Sequence, residues 1–172
     1  MKILVFSDSH GSKETMIKVV KKIGKSVDMI LHLGDLATDL PRTIIPEKIP
    51  IEYVRGNCDK TSEIPVTKSI SVQEGRANVF MTHGHLYNVK YDSDKIVYAA
   101  FEQQADICVF GHTHSPAVFK EENTLFLNPG SISLPRGTKF PTYGILDIET
   151  KIRAAVVEVR PEGIYRIISD LS

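Results

Sequence analysis

Apolar residues follow two rhythms along the chain. Ile3-Leu4-Val5-Phe6 is a short unbroken apolar run, which predicts a buried strand. Met16, Ile17, Val19, Val20 and Ile23 then recur at helical spacing among lysines. Gly24 lies near the end of that pattern, which predicts a helix over 12–25. Asp28 to Leu33 reads as a second strand, giving a β-α-β unit with parallel strands and a right-handed crossover. Pro41, Pro46 and Pro50 break the next stretch into loops before a third strand, Ile51 to Val54. Val66 to Gln73 and Arg76 to Met81 alternate apolar and polar residues around Glu74-Gly75, the pattern of an antiparallel hairpin. A second helix is expected over Asp92 to Gln104, burying Ile96, Val97, Ala99, Ala100 and Phe101, followed by a strand from Ile107 to Phe110. Further strands are expected near Ala117–Lys120, Thr124–Leu127, Tyr143–Asp147 and Arg153–Val159, with a short final helix over Gly163–Leu171. No repeat, low-complexity tract or linker interrupts the chain. The expectation is one α/β domain over residues 1–172, two packed sheets with helices outside.

Composition narrows the class. The 172 residues are 42% hydrophobic and 24% charged, as expected of a soluble globular protein. Lysine and arginine together number 21, as do aspartate and glutamate, so the formal net charge is zero. That balance argues against an obligate nucleic-acid partner, which usually needs a basic face. Cys58 and Cys108 are the only cysteines and suggest no disulfide framework. Met1-Lys2 leads straight into a strand, with no signal-peptide pattern and no run of membrane-spanning length. A reducing cytoplasm is the simplest location, with no membrane partner, and whether two copies pair as a homodimer is left open.

The chemistry gathers where strands end. Asp8 and His10 follow the first strand two residues apart, a spacing that on extended chain points both side chains the same way. Carboxylate and imidazole suit a divalent metal of borderline hardness, although Asp8-Ser9 before a helix also suits a helix N-cap. Gly34-Asp35, Gly56-Asn57-Cys58-Asp59, His83-Gly84-His85 and Gly111-His112-Thr113-His114 punctuate four further strand ends, so five of six histidines fall in such stretches. Sites in α/β sheets collect at the carboxyl ends of parallel strands.

This ordered set, D-x-H, G-D, G-N, H-G-H and G-H-x-H over residues 8 to 114, resembles the calcineurin-like metallophosphoesterase superfamily. The compact length, Arg55-Gly56-Asn57-Cys58-Asp59 and Asn128-Pro129-Gly130-Ser131 are similar to its small phosphodiesterases of the YfcE type. The resemblance implies a four-layer αββα fold, a two-sheet β-sandwich flanked by helices, with two metals at the strand ends. It implies Asp8, His10 and His114 on one metal, Asn57, His83 and His112 on the other, and Asp35 bridging both. Asp35, Asn57 and His83 are the residues expected to carry catalysis. The implied activity is hydrolysis of a small phosphodiester by a hydroxide held between two divalent ions. Mixed nitrogen and oxygen ligands suit transition metals, with manganese first and nickel, zinc or iron as alternatives. A non-catalytic scaffold on the same fold, like the superfamily's retromer subunit, is the alternative, and completeness of the ligand set argues for the enzyme.

The remaining candidates read as follows. His32, inside an apolar strand, reads as a buried supporting histidine. His85 is a candidate phosphate contact, and Asp59 either orients its neighbours or shapes a turn. Cys58 stands where many superfamily members carry a histidine proposed to protonate the leaving oxygen; it reads as a neighbour of the ligands, not a ligand. Tyr87, Lys90 and Tyr91 belong to a substrate cleft or a surface loop, while Arg136 and Lys139 read as solvated charges.

Overall fold

The computed structural model describes residues 1–161 and 165–171. Two sheets pack face to face. The first contains β1 (Lys2–Phe6), β2 (Met29–His32), β3 (Ile51–Tyr53), β9 (Thr142–Ile148), β10 (Ile152–Val159) and β11 (Tyr165–Leu171), in the order β11-β10-β9-β1-β2-β3. The second contains β4 (Thr67–Val72), β5 (Ala77–Thr82), β6 (Ile107–Val109), β7 (Ala117–Glu121) and β8 (Thr124–Asn128), in the order β4-β5-β6-β8-β7.

The unbroken apolar runs have a physical origin in this layering. In β1, Ile3 and Val5 face the second sheet, while Leu4 and Phe6 face α1 (Glu14–Ile23) through Met16, Val19 and Val20. In β6 and β8, Ile107, Val109, Leu125 and Leu127 join the inner core. Cys108 and Phe126 point outward to Ile96 and Ala100 of α2 (Asp94–Glu102). A strand buried on both faces has no polar alternation to show. The outcome is the expected order of layers: helix, sheet, sheet, helix.

Parallel pairing of β1 with β2 and of β2 with β3 brings three strand ends to one edge of the first sheet. Parallel pairing of β5, β6 and β8 does the same in the second. The hairpin forms as expected between β4 and β5, its turn using positive φ at Gln73, Glu74 and Gly75. Both helices are shorter than the sequence pattern suggested, and residues 24–26 finish the first as a 3-10 turn.

One expectation fails. The final segment is not a helix: Tyr165–Leu171 pairs antiparallel with β10, with a bulge between Val156 and Val157, and Gly163 lies outside the described residues. Pairing with the open edge of β10 outweighs any local helical preference. The two ends of this strand also reach separate cores, since Tyr165 packs on the α1 side and Leu171 on the inner core. Among the described residues no helix is long and apolar enough to cross a membrane.

Candidate metal centre

The loops that leave β1, β2, β3, β5 and β6 meet across the seam between the sheets. Asp8, His10, Asp35 and His114 place one ligand-capable atom each within 4.8 Å of one another, and so do Asp35, His83 and His112. Asp35 belongs to both groups. Its Oδ2 lies 3.6 Å from His10 Nε2, and its Oδ1 lies 3.4 Å from His83 Nε2. His114 Nε2 lies 3.1 Å from Asp8 Oδ1 and 3.1 Å from His10 Nε2, and His112 Nδ1 lies 3.2 Å from His83 Nε2.

These separations fit a metal. Bonds of about 2.0–2.2 Å in a tetrahedral or octahedral sphere set neighbouring ligand atoms about 2.9–3.6 Å apart. The donor set, carboxylate oxygen and imidazole nitrogen, is that of a borderline transition ion. Asp8 Oδ1 faces this space fully buried and without a hydrogen-bond partner. A buried carboxylate oxygen left unpaired is costly unless a cation completes it.

The surrounding residues aim these atoms. Asp8 Oδ2 accepts from Ser7 Oγ at 2.6 Å and from the His112 backbone N–H at 3.1 Å, which leaves Oδ1 alone to face inward. His83 Nδ1 lies 2.8 Å from the Leu33 carbonyl and His114 Nδ1 lies 2.8 Å from the Leu134 carbonyl. Each carbonyl holds an Nδ1–H, so Nε2 is the free lone pair in both rings. The loops are wound tightly for this purpose: Asp8, His10, Asp35, His112 and His114 all have positive φ, between 46° and 68°. Such conformations are uncommon outside glycine and collect at functional sites. Gly56 lies against Asp35, where a Cβ would overlap Oδ1, and Gly111 lies against Ser7 and Asp8 in the same way.

Electrostatics follow from the packing. Burial opposes ionisation of Asp8 and of Asp35, yet the facing histidines and hydrogen-bond donors hold both carboxyls below the usual range. Burial also works against charge on His83, but Asp35 and Asp8 outweigh it and raise its pKa. His114 is raised chiefly by the Asp8 carboxylate beside it. His112 is pushed down to about 4 by burial, by His83 and by Lys90. The site thus favours anionic carboxylates, and without an ion two of its imidazoles hold protons more tightly.

The other sequence candidates find definite places. Asn57 is exposed on the loop after β3, its amide nitrogen 3.4 Å from Cys58 Sγ. Cys58 donates its backbone N–H to Asp35 Oδ1 at 2.9 Å; its exposed thiol has a pKa raised by partial burial and by Asp35. Asp59 is an orienting residue: its carboxylate accepts from Asp35 N, Ala37 N and Gly56 N at 2.7–2.9 Å. His85 sits beside the second group, its ring centroid 5.4 Å from His83, and its buried Nδ1 has no partner. His32 is fully buried, accepts the Gly34 N–H, and has its pKa lowered to about 4 by burial. No side-chain bond caps α1, so the N-cap alternative for Asp8 falls away.

Several supporting residues carry no legible sequence signal. Ser131 and Ser133 donate to the Asp8 carbonyl at 2.7 and 2.9 Å, tying the end of β8 to the end of β1. Buried Asp39 accepts from Ser9 Oγ at 2.9 Å and Gly11 N at 2.7 Å, holding the loop that carries His10. Serine and aspartate in loops look alike whether they serve a turn or a site.

Known proteins show the same arrangement of chain. The family model described as the calcineurin-like phosphoesterase superfamily domain matches residues 1–151. The probable metallophosphoesterase YsnB of Bacillus subtilis strain 168 is 34% identical over 149 residues, covering 87% of this chain and 85% of that protein. The phosphodiesterase YfcE of Escherichia coli strain K12 is 31% identical over 170 residues, covering 86% of this chain and 88% of that protein. A solved structure of Vps29 from Entamoeba histolytica superposes with a TM-score of 0.80 at 21% identity and full coverage of both chains, a likeness of fold. With a family match that runs from β1 through both donor groups to the end of β9, and relatives above 30% identity, this chain belongs to the calcineurin-like phosphoesterase superfamily.

Proposed function

We propose that this protein is a metal-dependent phosphodiesterase that hydrolyses small phosphodiesters at a centre for two divalent transition-metal ions. The observation that carries the reading is the sharing of Asp35 between two donor groups, with one oxygen toward His10 and the other toward His83. In this reading Asp8, His10 and His114 hold one ion, Asn57, His83 and His112 hold the other, and Asp35 serves both. Two such ions supply Lewis acidity at a phosphoryl oxygen and lower the pKa of a water near neutrality.

The chain's own contribution is position and charge. Ser7 and the His112 N–H restrict Asp8 to one inward oxygen. The Leu33 and Leu134 carbonyls fix the tautomers of His83 and His114. His85, whose ring lies beside those of His83 and His112, is the side chain this reading places against a non-bridging phosphoryl oxygen. Ser7, Ser9, Ser131 and Ser133 are engaged as donors to Asp8 and Asp39, and in this reading water is the nucleophile. The relative named phosphodiesterase YfcE supports the substrate class. A scaffold on this fold would not need the complete donor set, and all seven groups are present.

The test strips the protein of metal, reloads it with Mn, Ni, Zn, Fe or Mg, and assays aryl phosphodiesters and phosphomonoesters side by side. The reading expects diester hydrolysis that depends on a transition metal. Absence of hydrolysis with every metal, at full occupancy, contradicts it.

A further inference from the structure

A second feature adjoins the metal centre. A cleft of about 520 Å³ opens between the turn at 89–93, the start of β7 and Arg136. It shares a wall with the metal loop. Thr113, between His112 and His114, lines it, and Thr113 Oγ1 is held by Asn128 Nδ2 at 2.9 Å. Arg136 donates its backbone N–H to the His114 carbonyl at 3.0 Å, so its backbone is tied to the loop that carries the centre's last histidine.

The lining combines an apolar floor with a charged rim. Phe110 is buried, and Phe119 stacks flat on Phe126 with ring centroids 4.8 Å apart, giving a rigid aromatic base. Tyr91 lines the cleft and is 85% exposed, an aromatic side chain open to a ligand. Lys90, Asp92 and Arg136 are the charged groups of the lining, two cations against one anion. Neither cation has an ion-pair partner among the described residues, whereas Lys13, Lys68 and Arg160 do. Both cations also act on the centre, since Lys90 helps to lower His112 and Arg136 opposes charge on His114. A flat apolar group and an anion are what such a surface can hold.

We propose that this cleft binds one organic arm of the phosphodiester, a flat aromatic or heterocyclic group, and that Lys90 and Arg136 select an arm bearing a further anionic group. The inference rests on the phosphodiesterase reading and deepens it. The ions and His85 hold the phosphate that is cut, while the cleft reads what is attached to it. Arg136, at first sight a solvated charge, becomes a specificity residue.

The experiment compares phenyl 4-nitrophenyl phosphate with 4-carboxyphenyl 4-nitrophenyl phosphate on the metal-loaded protein. Chromatographic loss of the diester counts cleavage of either arm. The expected result is a kcat/KM about tenfold higher for the carboxylated ester, the scale of one charge-assisted contact. That ratio should shrink as salt is raised. It should fall toward unity in Lys90→Gln, in Arg136→Gln and in the double variant. Lys139→Gln is the control, because its ammonium sits 5.4 Å over the Phe140 ring and away from the cleft lining; it should keep the ratio. A ratio near one in the natural protein, or one that survives the double substitution, overturns the cleft assignment alone.

A second readout is independent of turnover. Addition of 4-hydroxybenzoate should shift the backbone amide resonances of residues 89–93 and 136, and the double substitution should remove those shifts. If no diester is cleaved but these shifts appear, the phosphodiesterase reading fails and the cleft stands as an anion site. If the shifts are absent, the cleft assignment is wrong whatever the turnover.

Discussion

The clearest residue-scale consequence concerns His32. It is fully buried, and burial lowers its pKa from the ordinary 6.5 to about 4. In the unfolded chain it takes up a proton near 6.5; in the folded chain it does so only near 4. The folded pKa is depressed, so the associated stability is present in full above about 6.5 and is lost as pH falls through about 4. The metal-free protein should therefore lose about 1–2 kcal/mol between pH 7.5 and pH 5 through this residue alone. His83 and His114, raised by Asp35 and Asp8, act in the opposite direction. A comparison with His32→Asn isolates the effect, because Asn keeps an acceptor for the Gly34 N–H but does not titrate. Denaturant unfolding of the metal-free proteins at both pH values checks it. Equal pH dependence of the two proteins contradicts it. The sequence already marked His32 as buried and supporting. It could not show that Nε2 lacks any partner, since that depends on which strands cover it.

Among the elements, the loop after β8 shows how far legibility extends. Strand ends carrying Asp or His next to Gly announced themselves, because charged ligands beside turn residues are rare in apolar strands. Asn128-Pro129-Gly130-Ser131 helped to carry the family resemblance, but its residues by themselves assigned it no chemistry. In the fold Ser131 is fully buried, donates to the Asp8 carbonyl and accepts from Leu134 N at 2.8 Å. Leu134 in turn holds His114 through its carbonyl. Ser131→Ala should therefore cost about 1–3 kcal/mol of stability, the usual cost of unpairing a buried hydrogen bond. It should also weaken metal binding in the group that contains His114. Denaturant unfolding of the metal-free variant and a metal titration measure the two effects separately. Unchanged affinity with lowered stability would confine Ser131 to the fold. The final strand illustrates the opposite limit. Its partner lies on β10, outside the segment itself, so local pattern alone suggested a helix.

At the scale of the whole molecule, the centre is built from both sheets. Asp8, His10 and Asp35 come from the first; His83, His112 and His114 come from the second. A bound ion therefore ties the layers together, and occupancy at 100 times Kd adds about 2.7 kcal/mol to stability. The strand-end motifs were legible in the sequence, but which sheet each strand joins was not. The pairing of imidazoles across the seam needed the packed sheets. The central claim is that Asp35 joins two ion sites. Equilibrium dialysis with Mn, read as bound metal per chain, tests it most directly in the natural protein and in Asp35→Ala. Two ions per natural chain and the loss of both tight sites in Asp35→Ala are the predicted result. One ion in the natural protein, or two retained by Asp35→Ala with unchanged affinity, contradicts it.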